Sequence, residues 1–279
     1  MRLVMTLLVR NAAGILRDNL EFHLAQGVDF FIITDNGSED CTADLVREYV
    51  DAGLAELIYE AGDDYSQWRW VTRMARRAMT HHGADWVINN DDDEYWMGQT
   101  RRLKELLQDV PPQWDGAIVE RFNHPPVPNV EPSTFLDTMV YRERRSRNTL
   151  GRPLPPKICH RAFADVELSQ GNHSARRLAG VLNFLPVPQL RISHFPVRDY
   201  PSFERKIIAG GAAYARNREL APSVGDTWRH LYALWQAGGL PRWYEERLLR
   251  PEQLRLGLRD GSLAHDESVR RVLRARRAA

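Results

Sequence analysis

The chain has 279 residues, of which 43% are hydrophobic, and its formal net charge at pH 7 is +1. Charged residues recur throughout, so no stretch approaches the roughly 18 consecutive apolar residues that a membrane-spanning helix needs. The hydrophobic fraction, with eight Trp and nine each of Tyr and Phe, also excludes a disordered chain.

The charge is unevenly distributed. Residues 1–140 contain 12 Lys and Arg against 24 Asp and Glu, whereas residues 141–279 contain 26 against 13. Two interpretations remain open: an acidic half that binds a metal ion beside a basic half that faces phosphates, or a basic helical surface attracted to the acidic half. No interleaved basic and aromatic pattern is present, so we expect no nucleic-acid partner.

The first 122 residues alternate between apolar runs of strand length and segments with helical periodicity. Between the first two runs, for example, Leu16, Leu20 and Leu24 recur every fourth residue before Gly27, a residue typical of helix ends. This order predicts an α/β fold with a mixed, mostly parallel sheet and flanking helices. The predicted strands are Leu3–Val9, Val28–Thr34, Leu54–Tyr59, Ala84–Ile88 and Ala117–Val119.

After residue 122, prolines including Pro125, Pro126, Pro128 and Pro132 predict short strands and loops. The chain then becomes mainly helical, and we divide it into residues 1–122, residues 123–200 and a C-terminal helical extension, residues 201–279. The later predicted strands are Met139–Arg142, Lys157–Phe163 and Leu190–Ser193. The later predicted helices are Pro201–Arg216, Thr227–Gln236, Pro241–Leu249 and the basic tail Ser268–Ala279.

Four acidic residues, Asp91 to Glu94, directly follow the apolar run Trp86–Ile88. Ligands of open parallel sheets collect at the carboxyl ends of strands, and side chains two apart in an extended segment point the same way. Asp91 and Asp93 are therefore expected to face one centre while Asp92 points elsewhere. Crowded carboxylates repel one another, which favours a hard divalent ion, Mn²⁺ or Mg²⁺, between them. The alternative is an acidic turn or helix N-terminus.

A second polar segment, Asp35-Asn36-Gly37-Ser38, also follows a predicted strand. Asn-Gly favours a tight turn, and Asp35 would lie at the sheet edge, where a base or a ribose hydroxyl could bind. The alternative is a plain strand-to-helix turn.

These segments together resemble GT-A glycosyltransferases of the family 2 and family 92 type. The resemblance rests on Val9-Arg10-Asn11, on Thr34 to Ser38, and on Asn90 to Tyr95, which is similar to the aspartate-x-aspartate (DXD) segment of that group. Pro156-Lys157-Ile158, Gly171-Asn172-His173 and Ile192 to Arg198 are similar to its C-terminal landmarks. The resemblance implies a GT-A, Rossmann-like nucleotide-sugar-binding fold, completed on the acceptor and metal side by residues 123–200.

The resemblance also implies roles for individual residues. Asp91 and Asp93 would bind Mn²⁺ or Mg²⁺, with His194 as a third ligand and His173 as the second choice. The residues expected to bind the nucleotide sugar are Arg10, Asp35, Asn36, Arg73, Asp91, Lys157, Arg198 and Lys206. For most of these residues a structural or surface role is the open alternative.

The implied reaction transfers a sugar, with inversion, from a nucleoside-diphosphate sugar to a hydroxyl of a glycan or other acceptor. Its expected setting is the synthesis of a surface polysaccharide or glycoconjugate. A base must accept the proton of that hydroxyl. The candidates are Glu120 and Asp165, with Glu167 as a further option, and no motif selects among them. We expect the acceptor to bind at Pro125–Arg152 and the helices after Pro201.

Two other functions remain open: a metal-dependent phosphohydrolase or nucleotidyltransferase, and a non-catalytic module that binds nucleotide sugars. The phosphohydrolase class lacks a P-loop motif. The two cysteines, Cys41 and Cys159, have no paired spacing, so we expect a reducing, cytoplasmic location. The basic tail leaves open a peripheral contact with the inner membrane face.

Overall fold

The structure is a computed structural model that describes residues 1–128 and 134–278. Pro132, in the segment where we expect the acceptor, lies outside the described residues, as does Ala279 at the end of the predicted basic tail. The strands are β1 (Leu3–Val9), β2 (Phe30–Asp35), β3 (Ala55–Tyr59), β4 (Trp86–Asn90), β5 (Glu94–Gly98), β6 (Gly116–Asn123), β7 (Tyr141–Glu143), β8 (Lys157–Arg161), β9 (Val166–Leu168), β10 (Ala175–Arg177), β11 (Phe184–His194) and β12 (Leu263–His265).

The helices flank this set of strands and then dominate the C-terminal part of the chain. They are α1 (Ala13–Ala25), α2 (Thr42–Asp51), α3 (Gln67–Thr80), α4 (Leu103–Gln108), α5 (Phe135–Thr138), α6 (Tyr200–Arg216), α7 (Asp226–Gln236), α8 (Leu240–Glu245), α9 (Pro251–Asp260) and α10 (Ser268–Ala278). In the described part of the chain, no helix has both the length and the hydrophobicity that a bilayer crossing requires.

An eight-stranded sheet in the order β3-β2-β1-β4-β8-β6-β11-β5 forms the centre of the molecule. The neighbours β3, β2, β1 and β4 run parallel, as do β6 and β11. Strand β8 runs antiparallel to both β4 and β6, and β5 runs antiparallel to β11. The predicted fold class, an α/β fold with a mixed, mostly parallel sheet and a C-terminal helical extension, is confirmed.

Helices cover both faces of the sheet because each buries an apolar stripe. Leu16 and Leu20 of α1 belong to the larger core cluster, whereas Met74 and Ala75 of α3 belong to the cluster on the other side. Helices α6, α7 and α8 form a third cluster around Phe203. The helical periodicity of the sequence therefore identifies the faces that are buried.

Two parts of this architecture differ in detail from the sequence prediction. Glu94, expected with Asp91 to Asp93 in one acidic segment, begins strand β5 and is fully buried. The predicted strand Met139–Arg142 is present with shifted bounds as β7, which pairs with β12. A strand that begins with an acidic residue interrupts the apolar pattern, and a partner strand more than a hundred residues away in the sequence leaves no local signal.

Gly116 begins β6, which lies between β8 and β11, and it provides a test of the packing there. A Cβ at this position would overlap the main-chain oxygen of Cys159 and the ring of Phe184. We expect Gly116→Ala to lower the free energy of unfolding by about 2 kcal/mol or more, because the neighbouring backbone must shift. Chemical denaturation measures this change.

Gly14→Ala is the matched control, since a Cβ at Gly14 in α1 meets no atom within 4 Å. It should leave the stability unchanged or raise it slightly, because Ala favours helix over Gly. Equal stability of the two variants would contradict the close packing at Gly116.

Candidate active site

The acidic residues lie in a tight turn between β4 and β5, at the sheet edge that the sequence predicts. Asn19 of α1 holds this turn, because its side-chain Nδ2 donates to the main-chain oxygens of Asp92 and Glu94, both at 2.9 Å. Asn90, the last residue of β4, donates in turn to Asn19 Oδ1 at 3.1 Å. A buried asparagine pair thus fixes the direction in which the acids leave the strand.

Two buried cations from later strands neutralise the first and last acids of the turn. Lys157 is 1% exposed, and its Nζ lies 2.6 Å from Asp91 Oδ2 and 3.5 Å from Glu94 Oε1. Arg121 Nη1 lies 2.7 Å from the same Glu94 oxygen. Burial raises the pKa of Asp91, but the charge and hydrogen bond of Lys157 together with the charge of Arg121 outweigh it, so this pKa lies below its usual value.

Asp91 is held on its other side as well. Asn172 Nδ2 lies 3.3 Å from Asp91 Oδ1. Asn172 is buried and adopts a left-handed backbone conformation with φ of 61°, which asparagine tolerates better than most residues. Both carboxylate oxygens of Asp91 therefore have protein partners.

Asp93 is paired through one oxygen only. Lys206 of α6 forms a short contact with Asp93 Oδ2, whereas His194 Nε2 faces Asp93 Oδ1 at 3.7 Å. Burial raises the pKa of Asp93, but its neighbours, Lys206 first and Arg198 among the others, together more than offset this, and the pKa lies well below its usual value. Asp93 is thus an anion with one oxygen directed at a histidine.

The hydrogen bonds of Asn123 determine which nitrogen of His194 carries the proton. Asn123 Nδ2 donates to Glu143 Oε2 at 3.3 Å and to the main-chain oxygen of Arg147 at 3.0 Å, so its Oδ1 must face His194. This Oδ1 lies 2.8 Å from His194 Nδ1, which must therefore donate. Burial lowers the pKa of His194 to about 3, so the ring is neutral and Nε2 presents a lone pair to Asp93.

These groups line a cavity of about 690 Å³ between the sheet edge and the C-terminal helices. Of the predicted site residues, the cavity brings together Asp91, Asp93, Lys157, His173, His194 and Lys206. Asp92 lines it too, which corrects the expectation that this side chain points elsewhere. The reason is that Asp91 to Asp93 form a turn instead of continuing the strand.

His173 lies on the cavity wall in a different setting from His194. Its Nδ1 contacts the main-chain oxygen of Pro156 at 2.9 Å, and burial lowers its pKa to about 4. Within the described part of the chain, His173 forms no hydrogen bond with an acid of the turn. Its predicted metal-binding role stays a prediction.

The predicted nucleoside-binding residues lie outside the lining of this cavity. Asp35 Oδ1 accepts hydrogen bonds from the main chain and hydroxyl of Ser38. Asn36 Nδ2 donates to the main-chain oxygens of Glu60 and Gly62. Both side chains thus stabilise the turn after β2, while Arg10, at the end of β1, is exposed.

Two predicted phosphate-binding arginines also lie outside the lining. Arg73 is on the outer face of α3, where it forms an ion pair with Glu60 at 2.9 Å. Arg198 stacks over the ring of Phe135, with 5.5 Å between its guanidinium carbon and the ring centroid. Their predicted contacts with the nucleotide sugar stay a prediction.

None of the three predicted bases lines the cavity. Glu120 is exposed on β6, Asp165 pairs with Arg177 at 2.8 Å, and Glu167 pairs with Arg176. The acids that line it, besides those of the turn, are Glu143 and Asp226.

Sequence reasoning missed four residues of this site: Arg121, Asn123, Glu143 and Trp228. One signal was available, since strand alternation places Arg121 and Asn123 on the same side of β6 and opposite to Glu120. Glu143 and Trp228 lie in the segments expected to bind the acceptor, but no local pattern distinguishes them from their neighbours there.

A family comparison supports the resemblance found in the sequence. The model of glycosyltransferase family 92 matches residues 5–129. Over these residues the predicted resemblance is confirmed, and with it the predicted enzyme class, a glycosyltransferase. No curated protein matches the chain.

Solved structures give only a distant likeness. S. aureus TarS 1-349 is 12% identical, with a TM-score of 0.45 and coverage of 92% of each chain. Its complex with UDP-GlcNAc has a TM-score of 0.41, again at 12% identity, over 84% of this chain and 72% of that one. A 4-diphosphocytidyl-2C-methyl-D-erythritol synthase is 14% identical, with a TM-score of 0.35 over 58% of this chain and 76% of that one. TM-scores below 0.5 are too low to support an inference about ligands.

The buried pair of Arg121 and Glu94 provides a second test. Arg121→Ala should lower the free energy of unfolding by about 3–5 kcal/mol, because it leaves the fully buried Glu94 with only the more distant Lys157. Arg17→Ala removes an exposed ion pair with Glu48 and should cost about 1 kcal/mol or less. Chemical denaturation of both variants measures the difference, and similar losses would contradict the structural role of Arg121.

Proposed function

We propose that the chain is a metal-dependent, inverting glycosyltransferase that transfers a sugar from a nucleoside-diphosphate sugar to an acceptor hydroxyl. The observation that carries the proposal is that Asp93, bound by Lys206 through one oxygen, directs its other oxygen at a neutral His194, in one cavity of a chain whose residues 5–129 match glycosyltransferase family 92. The proposal includes three points: the acidic turn acts as a DXD motif, a divalent ion binds beside it, and the transfer inverts the anomeric centre.

The residues fit a hard divalent ion at Asp93 and His194. The two atoms that face each other, Asp93 Oδ1 and His194 Nε2, both present lone pairs, and their 3.7 Å separation is too long for a hydrogen bond. A cation between them would remove this repulsion. The contact of His194 Nδ1 with Asn123 is the arrangement in which metal-binding histidines are usually held.

Two protein ligands suffice for Mg²⁺ or Mn²⁺. Mg²⁺ is commonly bound by one or two carboxylates and completed by water and substrate phosphate oxygens. Within residues 1–128 and 134–278, no three His, Cys, Asp or Glu side chains converge on one point. Both oxygens of Asp91 have protein partners, so among the four candidate ligands from the sequence we favour Asp93 and His194. An ion held there would offset the charge that develops on the departing diphosphate.

The two lysines serve different purposes in this proposal. Lys157 is almost completely buried between Asp91 and Glu94, so its charge maintains the acidic turn. Lys206 has a side chain that is 38% exposed and can reach a phosphate group in the cavity. We therefore assign diphosphate binding to Lys206 and a positioning role to Lys157.

Mn²⁺-dependent nucleotide binding tests the ion site. We expect nucleoside diphosphates or their sugars to raise the melting temperature of the protein more strongly with Mn²⁺ than with EDTA, because a bound ligand stabilises the folded state. Asp93→Asn and His194→Ala should lose most of the additional rise in melting temperature that Mn²⁺ produces. A thermal-shift panel of uridine, guanosine, cytidine and adenosine diphosphates and their sugars measures the effect.

Asp109→Asn is the control for this panel, since Asp109 lies at the surface, where it pairs with Arg101. It should behave as the wild type. Identical shifts with Mn²⁺ and with EDTA in the wild type would contradict the ion site, and the absence of any shift would contradict nucleotide binding itself.

The products distinguish the proposed reaction from the other functions that the sequence left open. Incubation with the nucleotide sugar that binds most tightly should release nucleoside diphosphate. Release of nucleoside monophosphate or pyrophosphate would instead indicate attack at phosphorus, as in a phosphohydrolase or nucleotidyltransferase. Binding without any product would indicate a non-catalytic module.

A further inference from the structure

The cavity contains five acids, and they differ in whether a cation neutralises them. Asp91 and Asp93 are paired with Lys157 and Lys206. Asp226, at the start of α7, forms a short contact with Arg152. A general base must be free to accept a proton, so these three carboxylates are poorly suited to that role.

Glu143 is the cavity acid whose carboxylate has polar neighbours but no cation. It ends strand β7, is half-buried and lines the cavity. Among the residues that the structure describes, no Lys, Arg or His side chain lies within 4.0 Å of its carboxylate oxygens, and Asn123 Nδ2 donates to it at 3.3 Å. Burial raises the pKa of Glu143, only partly opposed by hydrogen bonds from Ser146 and Asn123.

Asp92 is the remaining acid, and its surroundings argue against it. It belongs to the acidic turn itself, next to Asp93, and its main-chain oxygen is tied to Asn19. A proton accepted there would lie next to Asp93, the carboxylate that would hold the proposed ion. Glu143 approaches the cavity from a separate strand instead.

A chain of contacts links Glu143 to the proposed ion site. Glu143 contacts Asn123, Asn123 contacts His194 Nδ1 at 2.8 Å, and His194 Nε2 faces Asp93. Asn123 therefore connects the Glu143 carboxylate to His194, one of the two residues that would hold the ion.

We propose that Glu143 is the general base that receives the proton of the acceptor hydroxyl. The inference rests on the proposed function, because it needs an acceptor that attacks a nucleotide sugar. The hydroxyl oxygen forms the new bond to the anomeric carbon, and the bond from that carbon to the diphosphate breaks. The electron pair of the broken bond leaves with the diphosphate, and the hydroxyl proton moves to the Glu143 carboxylate.

A purely structural role for Glu143 makes a different prediction. Through Asn123, Glu143 also helps to orient His194, so its removal could act on the ion site alone. Glu143→Gln separates the two roles, because the Gln side-chain oxygen can still accept the hydrogen bond from Asn123 Nδ2 but cannot take up the proton. Glu143→Ala removes both functions.

The experiment compares wild type, Glu143→Gln and Glu143→Asp with the nucleotide sugar that binds most tightly. It measures the kcat for release of nucleoside diphosphate, with water and with a panel of mono- and oligosaccharides as acceptors, and the Kd for Mn²⁺ by titration calorimetry. We expect Glu143→Gln to lower kcat by about 10²–10⁴-fold. Its Kd values for Mn²⁺ and for the nucleotide sugar should stay within about twofold of wild type, and Glu143→Asp should retain intermediate activity.

Glu120→Gln is the matched control, because it removes a carboxylate from β6 that does not line the cavity. Its kcat should equal that of the wild type. Wild-type kcat in Glu143→Gln, or a loss seen instead in Glu120→Gln, would overturn the assignment. So would a kcat loss in Glu143→Gln that is matched by weaker Mn²⁺ binding, since this is the signature of positioning.

The two proposals fail in different ways. A wild-type protein that releases no nucleoside diphosphate from any nucleotide sugar would overturn the proposed function, and the role of Glu143 with it. An active wild type with an equally active Glu143→Gln would overturn the role of Glu143 alone.

Discussion

The site depends on the neutralisation of three of four consecutive acids by cations from distant parts of the chain. Asp91 is matched by Lys157, Glu94 by Arg121 and Lys157, and Asp93 by Lys206. The sequence suggested that only a divalent ion could make such a cluster tolerable. The structure shows that protein cations supply most of the compensation, since an unpaired buried carboxylate is too costly. The atoms left for an ion to bind are Asp93 Oδ1 and His194 Nε2, whose lone pairs face each other.

The register of the sheet brings these groups together. His194, the last residue of β11, lies opposite Glu94 on one side and Asn123 on the other, because β11 pairs with both β5 and β6. Strand β8 inserts between β4 and β6 and so carries Lys157 to the acids that follow β4. A slip of one residue in any of these strands would turn the side chain to the other face. The site is therefore as well defined as the sheet.

Local patterns predicted those parts of the site that lie at the ends of apolar strands. Asp91, Asp93 and His194 each follow or end such a run, and their types are those that bind divalent ions. Arg121 and Glu143 could not be found in this way, because their importance comes from partners that are close only after the sheet has formed. Glu120 is predicted as a base because it follows the strand Ala117–Val119, but strand alternation directs it to the face opposite Arg121. The proposed base could therefore be identified only from the folded structure.

The charge asymmetry of the sequence finds much of its explanation inside the molecule. Helix α10 packs against α1, where Arg276 pairs with Glu21 at 3.0 Å and Arg277 contacts Asp18. Lys157 and Lys206 likewise bring positive charge from the later half to the acidic turn. This favours the second interpretation of the asymmetry for α10, a basic surface attracted to an acidic one. The first interpretation then applies only to the cavity, where Lys206 keeps a partly exposed charge beside Asp93. The two halves of the chain have large net charges of opposite sign and attract each other. The charge complementarity that forms the site therefore also favours the packing of the later half against the earlier one.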